Sequence, residues 1–196
     1  SFAKTITATG AAATINLGSV NGSITVTGVI TGKDNVLIGT SGSGSITLSA
    51  AVSNDSATGD IIIESTTGNV VTSGAISTTG ATADISIDSA TSGNVTIGGN
   101  LSTTGGGVIF LAADNASTAT GTGNLTINGT VTTTGAGDII IGVSGGSVAV
   151  NNTVTSGATG DVIFITTAAT DAITIASGKN ITAGFDVADF GVGILN

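Results

Sequence analysis

Short runs in which apolar and polar residues alternate return about every 24 residues along this 196-residue chain, a period typical of repeat proteins. The first run of most repeats reads Gly or a small residue, then Asp or Asn, then apolar-x-apolar, as in residues 59–63. The second reads Gly-Ser/Asn-apolar-x-apolar, as in residues 44–48, and the third is an apolar residue followed by Ser or Thr, as at Ile76. A period of two is typical of a strand with one buried face. The repeat therefore predicts three short strands per turn of chain.

The runs are rich in Val, Ile and Thr, which favour strands, and no segment has the 3.6-residue periodicity of a helix. We predict an all-β fold, a parallel β-helix (β-solenoid) of seven to eight coils with three short strands per coil, forming one domain over residues 1–196. One coil is about seven residues too long, with the excess between residues 112 and 123. Insertions in solenoids form loops on one face. Corner glycines are expected to permit positive φ.

The first run is apolar at inward and outward positions alike, and a strand with two apolar faces is normally covered on both. In the repeat that begins at Gly107 we take Val108 as the first inward residue. The outward positions then form a stripe that predicts a lateral interface. Its residues are Leu37, Ile62, Ile109, Leu111, Ile140, Ile163 and Ile165.

Both ends of the chain lack the polar cap that terminal repeats usually carry. The first predicted strand of the chain belongs to the third kind of run. The last strand of the first kind of run begins at Val187. Residues 185–196 are apolar, which predicts a connector between subunits stacked head to tail. The apolar residues of this predicted connector are Phe185, Val187, Phe190, Val192, Ile194 and Leu195.

Composition excludes several classes of site. The chain has neither His nor Cys, so a zinc cluster, a thiol nucleophile and a Ser-His-Asp triad are excluded. Its three basic residues are all Lys against twelve acids, and the net charge of −9 gives no footprint for nucleic acid. No apolar run is long enough for a membrane-spanning helix. We expect no enzymatic activity, no cofactor and no metal requirement.

Two alternatives stay open at the repeated polar positions. The corner acids, such as Asp60 and Asp84, could bind Ca²⁺ or could bond the local backbone, with Asn35 and Gly107 interrupting their series. The outward residues of the second run form a Thr file that raises ice binding as an alternative, although the neighbouring file is irregular. The file is broken by Val71 and Ala149, and its threonines are Thr25, Thr47, Thr96, Thr126 and Thr174.

The repeated patterns at residues 44–48 and 59–63 resemble the β-helical stalks of filamentous-haemagglutinin-type exoproteins and autotransporter passengers. This resemblance implies a secreted, cell-surface protein that acts in adhesion, biofilm matrix or fibre formation. We therefore expect a non-enzymatic extracellular structural protein, a subunit or segment of a surface filament whose partners are copies of itself. The alternative is an adhesin or another ligand-binding solenoid with a glycan- or ice-binding face.

Overall fold

The fold was analysed in a computed structural model that describes residues 1–114, 122–189 and 194–195. These residues form 24 strands, arranged in three parallel sheets of eight strands each. Consecutive strands lie in different sheets, and each strand pairs with the strand three places later in the chain. The predicted parallel β-solenoid with three strands per coil is therefore confirmed. No helix in the described ranges is long and apolar enough to span a membrane.

Each sheet collects one strand from every coil. The first sheet contains β2 (Ile15–Ser19), β5 (Val36–Thr40), β8 (Ile61–Ser65), β11 (Ile85–Ser89), β14 (Ile109–Ala113), β17 (Ile139–Val143), β20 (Val162–Thr166) and β23 (Val187–Asp189). The second sheet contains β3 (Ile24–Val26), β6 (Ile46–Leu48), β9 (Val70–Thr72), β12 (Val95–Ile97), β15 (Leu125–Ile127), β18 (Ser147–Val150), β21 (Ala172–Ile175) and β24 (Ile194–Leu195). The third sheet contains β1 (Ile6–Thr7), β4 (Ile30–Gly32), β7 (Val52–Asn54), β10 (Ile76–Thr78), β13 (Leu101–Thr103), β16 (Val131–Thr133), β19 (Val154–Thr155) and β22 (Ile181–Thr182).

Seven complete coils run from β2 to β22, and we number them 1 to 7. The core consists of the inward residues of the three sheets, stacked coil on coil. Ile61 pairs with Ile85, and Ile85 pairs with Ile109. All three side chains are completely buried, so the predicted stacking of Ile61 and Ile85 one coil apart is confirmed.

The prediction that Ile109 and Leu111 face outward is wrong. Both residues are completely buried in the core, paired with Ile85 and Ile87 of the preceding coil, and Phe110 takes the outward position. Residues 108–113 read Val-Ile-Phe-Leu-Ala-Ala, a run without polar alternation from which the phase of the strand could not be read. A slip of one residue exchanges the two faces of a strand. Val108 belongs to the corner before the strand.

The longer coil lies where the sequence predicted it. Ile85 pairs with Ile109, and Ile109 pairs in turn with Ile139. The second of these two steps along the chain is the longer one, with an excess of six residues that falls between β14 and β15. Residues 115–121, in the segment between these two strands, lie outside the described residues.

The corner glycines are required by close approach of the backbone rather than by positive φ. Among the described glycines, only Gly135, Gly145 and Gly178 have positive φ. A Cβ on Gly68 would overlap the carbonyl of Gly44 in the coil before, and a Cβ on Gly93 would overlap the carbonyl of Gly68. Stacked coils therefore bring the corner backbones so close that no side chain fits there.

Candidate functional site

The outer face of the first sheet has apolar side chains outside the core. Its strands have five residues each except β23, which has three, and the second and fourth residues of the longer strands point away from the core because side chains alternate along a strand. The register places equivalent residues of successive coils in two columns. The first outward column is Asn16, Leu37, Ile62, Ser86, Phe110, Ile140, Ile163 and Ala188. The second outward column is Gly18, Gly39, Glu64, Asp88, Ala112, Gly142 and Ile165.

Five of the seven residues predicted for the lateral stripe lie in these columns. Four of them are half-buried in the first column, and Ile165, 36% exposed, lies in the second. The four are Leu37, Ile62, Ile140 and Ile163. Sequence reasoning missed Phe110, which replaces Ile109 and Leu111 on this face. The spacing held the signal, because a step equal to that from Ile61 to Ile85, taken once more, places Ile109 inward and Phe110 outward.

A groove of about 630 Å³ opens on this face over coils 1 to 3. Gly18 and Gly39 form part of its lining, next to the larger side chains of Leu37 and Ile62, and Glu64 also lines it. The glycines create the space, since a Cβ on Gly18 or Gly39 would meet no atom closer than 3.7 Å. In coil 7 the same two columns hold Ile163 and Ile165. The second column therefore has Gly in coils 1, 2 and 6 and Ile in coil 7, and its Ala112 and Gly142 are buried within the chain.

The acids at the corner before the first sheet bind the backbone of the next coil. The Asp60 Oδ1 accepts a hydrogen bond from the Asp84 N–H at 2.9 Å, and the Asp84 Oδ1 accepts one from the Val108 N–H at 2.7 Å. Asn35 takes part as well, because its Oδ1 accepts from the Asp60 N–H at 2.9 Å. Asn35 interrupts the series of acids, as expected, but not the series of hydrogen bonds, which is interrupted at Val108 because its side chain has no acceptor. These bonds favour the structural interpretation of the corner acids.

The same arrangement continues in the later coils and at the second corner. The Asp161 N–H donates to Asp138 Oδ1 at 2.8 Å, and the Asp186 N–H donates to Asp161 Oδ1 at 3.0 Å. At the corner before the second sheet, the Asn124 N–H donates to Asn94 Oδ1 at 2.8 Å. In the part of the chain that the structure describes, no three acidic side chains gather in a group that could hold a metal ion.

Burial perturbs one corner acid. The pKa of the Asp84 carboxyl is raised above its ordinary value, mainly by desolvation. The hydrogen bond from the Val108 N–H acts in the opposite direction, and the negative charge of Asp60 raises the pKa further. Asp84 therefore holds its proton more tightly than an exposed Asp, but the atoms around it are backbone and another corner acid rather than a reaction centre.

Outward Ser and Thr side chains form a more regular column on the third sheet than on the second. The predicted Thr file of the second sheet is in register, with breaks at Val71 and Ala149. The third sheet instead has an outward Ser or Thr in every strand. Sequence reasoning did not use this series, although the third run of each repeat is an apolar residue followed by Ser or Thr. This hydroxyl column is Thr7, Thr31, Ser53, Ser77, Ser102, Thr132, Thr155 and Thr182.

The end rungs of the solenoid expose side chains that are buried elsewhere. Val187 pairs with Val162, which is completely buried, yet Val187 is 49% exposed because no later strand of the first sheet covers it within the part of the chain that the structure describes. Phe185, just before it, is 81% exposed. The backbone of β24 pairs with β21 of the same chain. Of the predicted connector residues, Phe190 and Val192 lie outside the described residues, and only the backbone is described for Ile194 and Leu195.

Comparison of this chain with protein-family models, with curated proteins and with solved structures gives no match.

Proposed function

We propose that this chain is a non-enzymatic structural protein, a subunit or segment of an extracellular surface filament. It assembles with copies of itself by stacking coil upon coil at its ends and by apolar contacts at the outer face of the first sheet. The single observation that carries the proposal is the apolar outer face of the first sheet, where one outward column contains the half-buried side chains of Leu37, Ile62, Phe110, Ile140 and Ile163. Exposed apolar stripes of this kind mark interaction sites.

The side chains at the end rungs support stacking. Val187 continues an inward column of the core and is half exposed, so another rung would bury it as Val162 is buried. At the opposite end, Phe2 forms a parallel bridge with Val26, which begins one further rung of the second sheet. β23 and β24 already pair on one edge within the chain, so a connecting role for residues 185–196 would use their other edges.

The polar groups support a structural rather than a catalytic role. The corner acids bind backbone N–H groups of the next coil, and Lys33 forms an ion pair with Asp55. Catalysis by carboxylates needs two of them converging on one substrate, whereas these acids are spaced one per coil along a corner. The extracellular location rests on the resemblance of the repeat to exoprotein and autotransporter stalks.

Electron microscopy of the purified protein tests end-to-end assembly. Eight rungs at about 4.8 Å per rung give an axial repeat of about 38 Å, so we expect filaments with this spacing. Deleting residues 185–196 should leave folded rods that no longer polymerise. Rods that stay single at every concentration would contradict assembly, and filaments of unchanged repeat from the truncated chain would exclude the connector.

The lateral contact has its own test. The double variant Ile62→Lys plus Ile140→Lys places two charges on the outer face of the first sheet and should abolish side-by-side association without changing the far-UV circular dichroism. The matched control, Ser77→Lys plus Thr155→Lys, alters the same two coils on the third sheet and should associate normally. Equal association of both variants would contradict a role for the apolar face.

A ligand-binding solenoid is the second candidate, and the unbroken hydroxyl column of the third sheet favours it. Hydroxyls repeated at about 4.8 Å match a ligand that is itself periodic, such as ice or an ordered polysaccharide. Ser102→Tyr plus Thr132→Tyr should remove such binding, and Thr96→Tyr plus Thr126→Tyr, in the same coils of the second sheet, is the control. Absence of ice or polysaccharide binding by the unaltered protein would exclude this candidate.

A further inference from the structure

We propose that the groove over coils 1 to 3 is a binding site for an organic cation, a primary alkylammonium. Its alkyl chain lies along the glycine floor of the groove, and its ammonium group contacts the carboxylate of Glu64. The inference goes beyond the proposed function and does not rest on it, because it needs neither stacking nor lateral contact between copies of the chain.

The groove is a trough that runs along the solenoid axis. Gly18 and Gly39 pair in neighbouring coils and form its floor, and Glu64 pairs with Gly39, so that the carboxylate stands at one end of the same column. Leu37 and Ile62 of the first outward column form one rim. The opposite rim is the corner after the first sheet, with Val20, Ser41 and Thr66. The trough spans three coils, about 10 Å from the first strand to the third.

The lining suits an alkyl chain. The half-buried side chains of Leu37 and Ile62 are apolar, and Val20, in the coil farthest from Glu64, is 69% exposed. Ligand sites are typically concave and largely apolar, with volumes of about 300–1,000 Å³ and a few polar groups that fix the orientation of the ligand. The groove, with about 630 Å³ and one carboxylate at its end, has these properties.

The charge of the groove selects a cation. Among the lining residues in the described part of the chain, Glu64 alone is charged, and Lys33, in a neighbouring coil, is already paired with Asp55. The net charge of −9 adds a negative field that attracts cations and repels anions. Because Glu64 is exposed, an ion pair with it contributes little affinity. The alkyl chain therefore supplies most of the affinity, and Glu64 supplies the selectivity for a cation.

The length of the trough favours a free alkylamine over a lysine side chain of another protein. A lysine has a stem of four carbons that ends in peptide groups. With its ammonium at Glu64, this stem would leave the floor at Gly18 uncovered and place the peptide groups near the apolar Leu37, where they would lose hydrogen bonds to water. A longer alkyl chain covers the floor and brings no polar group with it.

Amide NMR spectra of the isotope-labelled full chain, titrated with n-hexylammonium, test the site. The amide signals of Gly18, Gly39 and Glu64 should shift together. Each methylene removed from the ligand should weaken binding by up to about fourfold, which is the contribution of one buried methylene. Hexanoate has the same alkyl chain with a negative charge and should bind more weakly. Unshifted signals at these three residues, or equal binding of hexanoate, would overturn the proposal.

A variant without the carboxylate separates local from overall charge. Glu64→Gln keeps the size of the side chain and should weaken n-hexylammonium binding about fivefold, while binding of the neutral n-hexanol stays the same. The matched control is Asp88→Asn, which removes a negative charge from the next coil of the same column but outside the lining. Equal weakening by the two variants would show that only the overall field attracts the cation and would overturn the role of Glu64.

A variant that fills the groove gives a second readout. A Cβ on Gly39 would meet no atom closer than 3.7 Å, so Gly39→Leu should keep the far-UV circular dichroism of the unaltered chain and lose binding of both n-hexylammonium and n-hexanol. Ser77→Leu, on the outer face of the third sheet, is the control and should bind both ligands normally. Unchanged binding by Gly39→Leu would overturn the location of the site.

Two further comparisons identify the occupant and separate this inference from the proposed function. Nα-acetyl-lysine amide should bind about tenfold more weakly than n-hexylammonium, and equal binding would overturn the assignment to a free alkylamine. The titrations use concentrations at which the rods are single, so they do not depend on assembly. Filaments without n-hexylammonium binding would support the proposed function and overturn this inference, and binding without filaments would do the reverse.

Discussion

The register of β14 determines which of two neighbouring residues, Phe110 or Leu111, lies in the core. It therefore predicts which of the two substitutions to Ala lowers the unfolding free energy more. Leu111 is completely buried between Ile87 and Ile141 of the adjacent coils. Truncating a buried Leu to Ala costs about 2–5 kcal/mol, through lost burial and the cavity that remains. Phe110 is half-buried on the outer face, so Phe110→Ala removes area that water already reaches. We expect Leu111→Ala to lower the unfolding free energy by at least about 2 kcal/mol more than Phe110→Ala does.

Urea unfolding followed by far-UV circular dichroism measures this difference, since the chain has no Trp or Tyr to report by fluorescence. The protein concentration should lie below the range of self-association. The slope of free energy against urea should stay the same in all variants, so that the midpoints report stability alone. The matched pair Ile87→Ala and Ser86→Ala, in the coil before, should show the same order. If Phe110→Ala proves as damaging as Leu111→Ala, the register described for β14 is wrong.

Two further predictions concern the corners. The pKa of Asp84 is raised in the folded state, so ionisation of its carboxyl opposes folding. The protonated carboxyl contributes its full stability below the ordinary Asp pKa of about 3.9, and this contribution is lost as the pH rises through the raised pKa. Asp84→Asn, which keeps an oxygen for the Val108 N–H, should therefore be more stable than the unaltered chain at neutral pH in urea unfolding, and a stability difference that does not shrink on acidification would contradict this. Gly68→Ala should cost about 1–3 kcal/mol, since its Cβ would overlap the Gly44 carbonyl, whereas Gly39→Ala has room and should cost less than about 0.5 kcal/mol. Equal melting temperatures for these two variants would refute the close-approach explanation.

The fold could be predicted from the sequence because the repeat and the alternation agree. Ile61 and Ile85 stand in the same position of successive repeats, each beside a corner Asp and each followed by a Gly-rich corner. In a solenoid every coil meets only its neighbours, so a local pattern determines the whole architecture. The alternation did not show which of residues 108–113 point inward, because both faces of that strand are apolar. Only the length of the repeat indicates which residues face the core.

The candidate site could be predicted only in part. That the first sheet has an apolar outer face followed from residues such as Leu37 and Ile140, which alternate with core residues. The groove did not follow, because it depends on Gly18 and Gly39 lying beside each other in one column, which requires the register between coils. The sequence analysis also assigned the wrong role to most corner glycines, positive φ instead of close approach to the backbone of another coil. The residues next to a glycine do not reveal how close another coil comes.

At the corner before the first sheet, the backbone N–H groups of Asp60, Asp84, Asp161 and Asp186 each donate a hydrogen bond to a side-chain oxygen of the preceding coil. Each finished coil therefore presents ready acceptors to the segment that a ribosome or a secretion pore would deliver next. The solenoid can grow vectorially, from its amino-terminal to its carboxy-terminal coils, with every new coil folding on a surface that needs no later sequence to be complete. Emergence in the opposite order would leave each N–H without its acceptor until the preceding coil arrived, so the direction of delivery should affect the folding rate even though the final structure is the same.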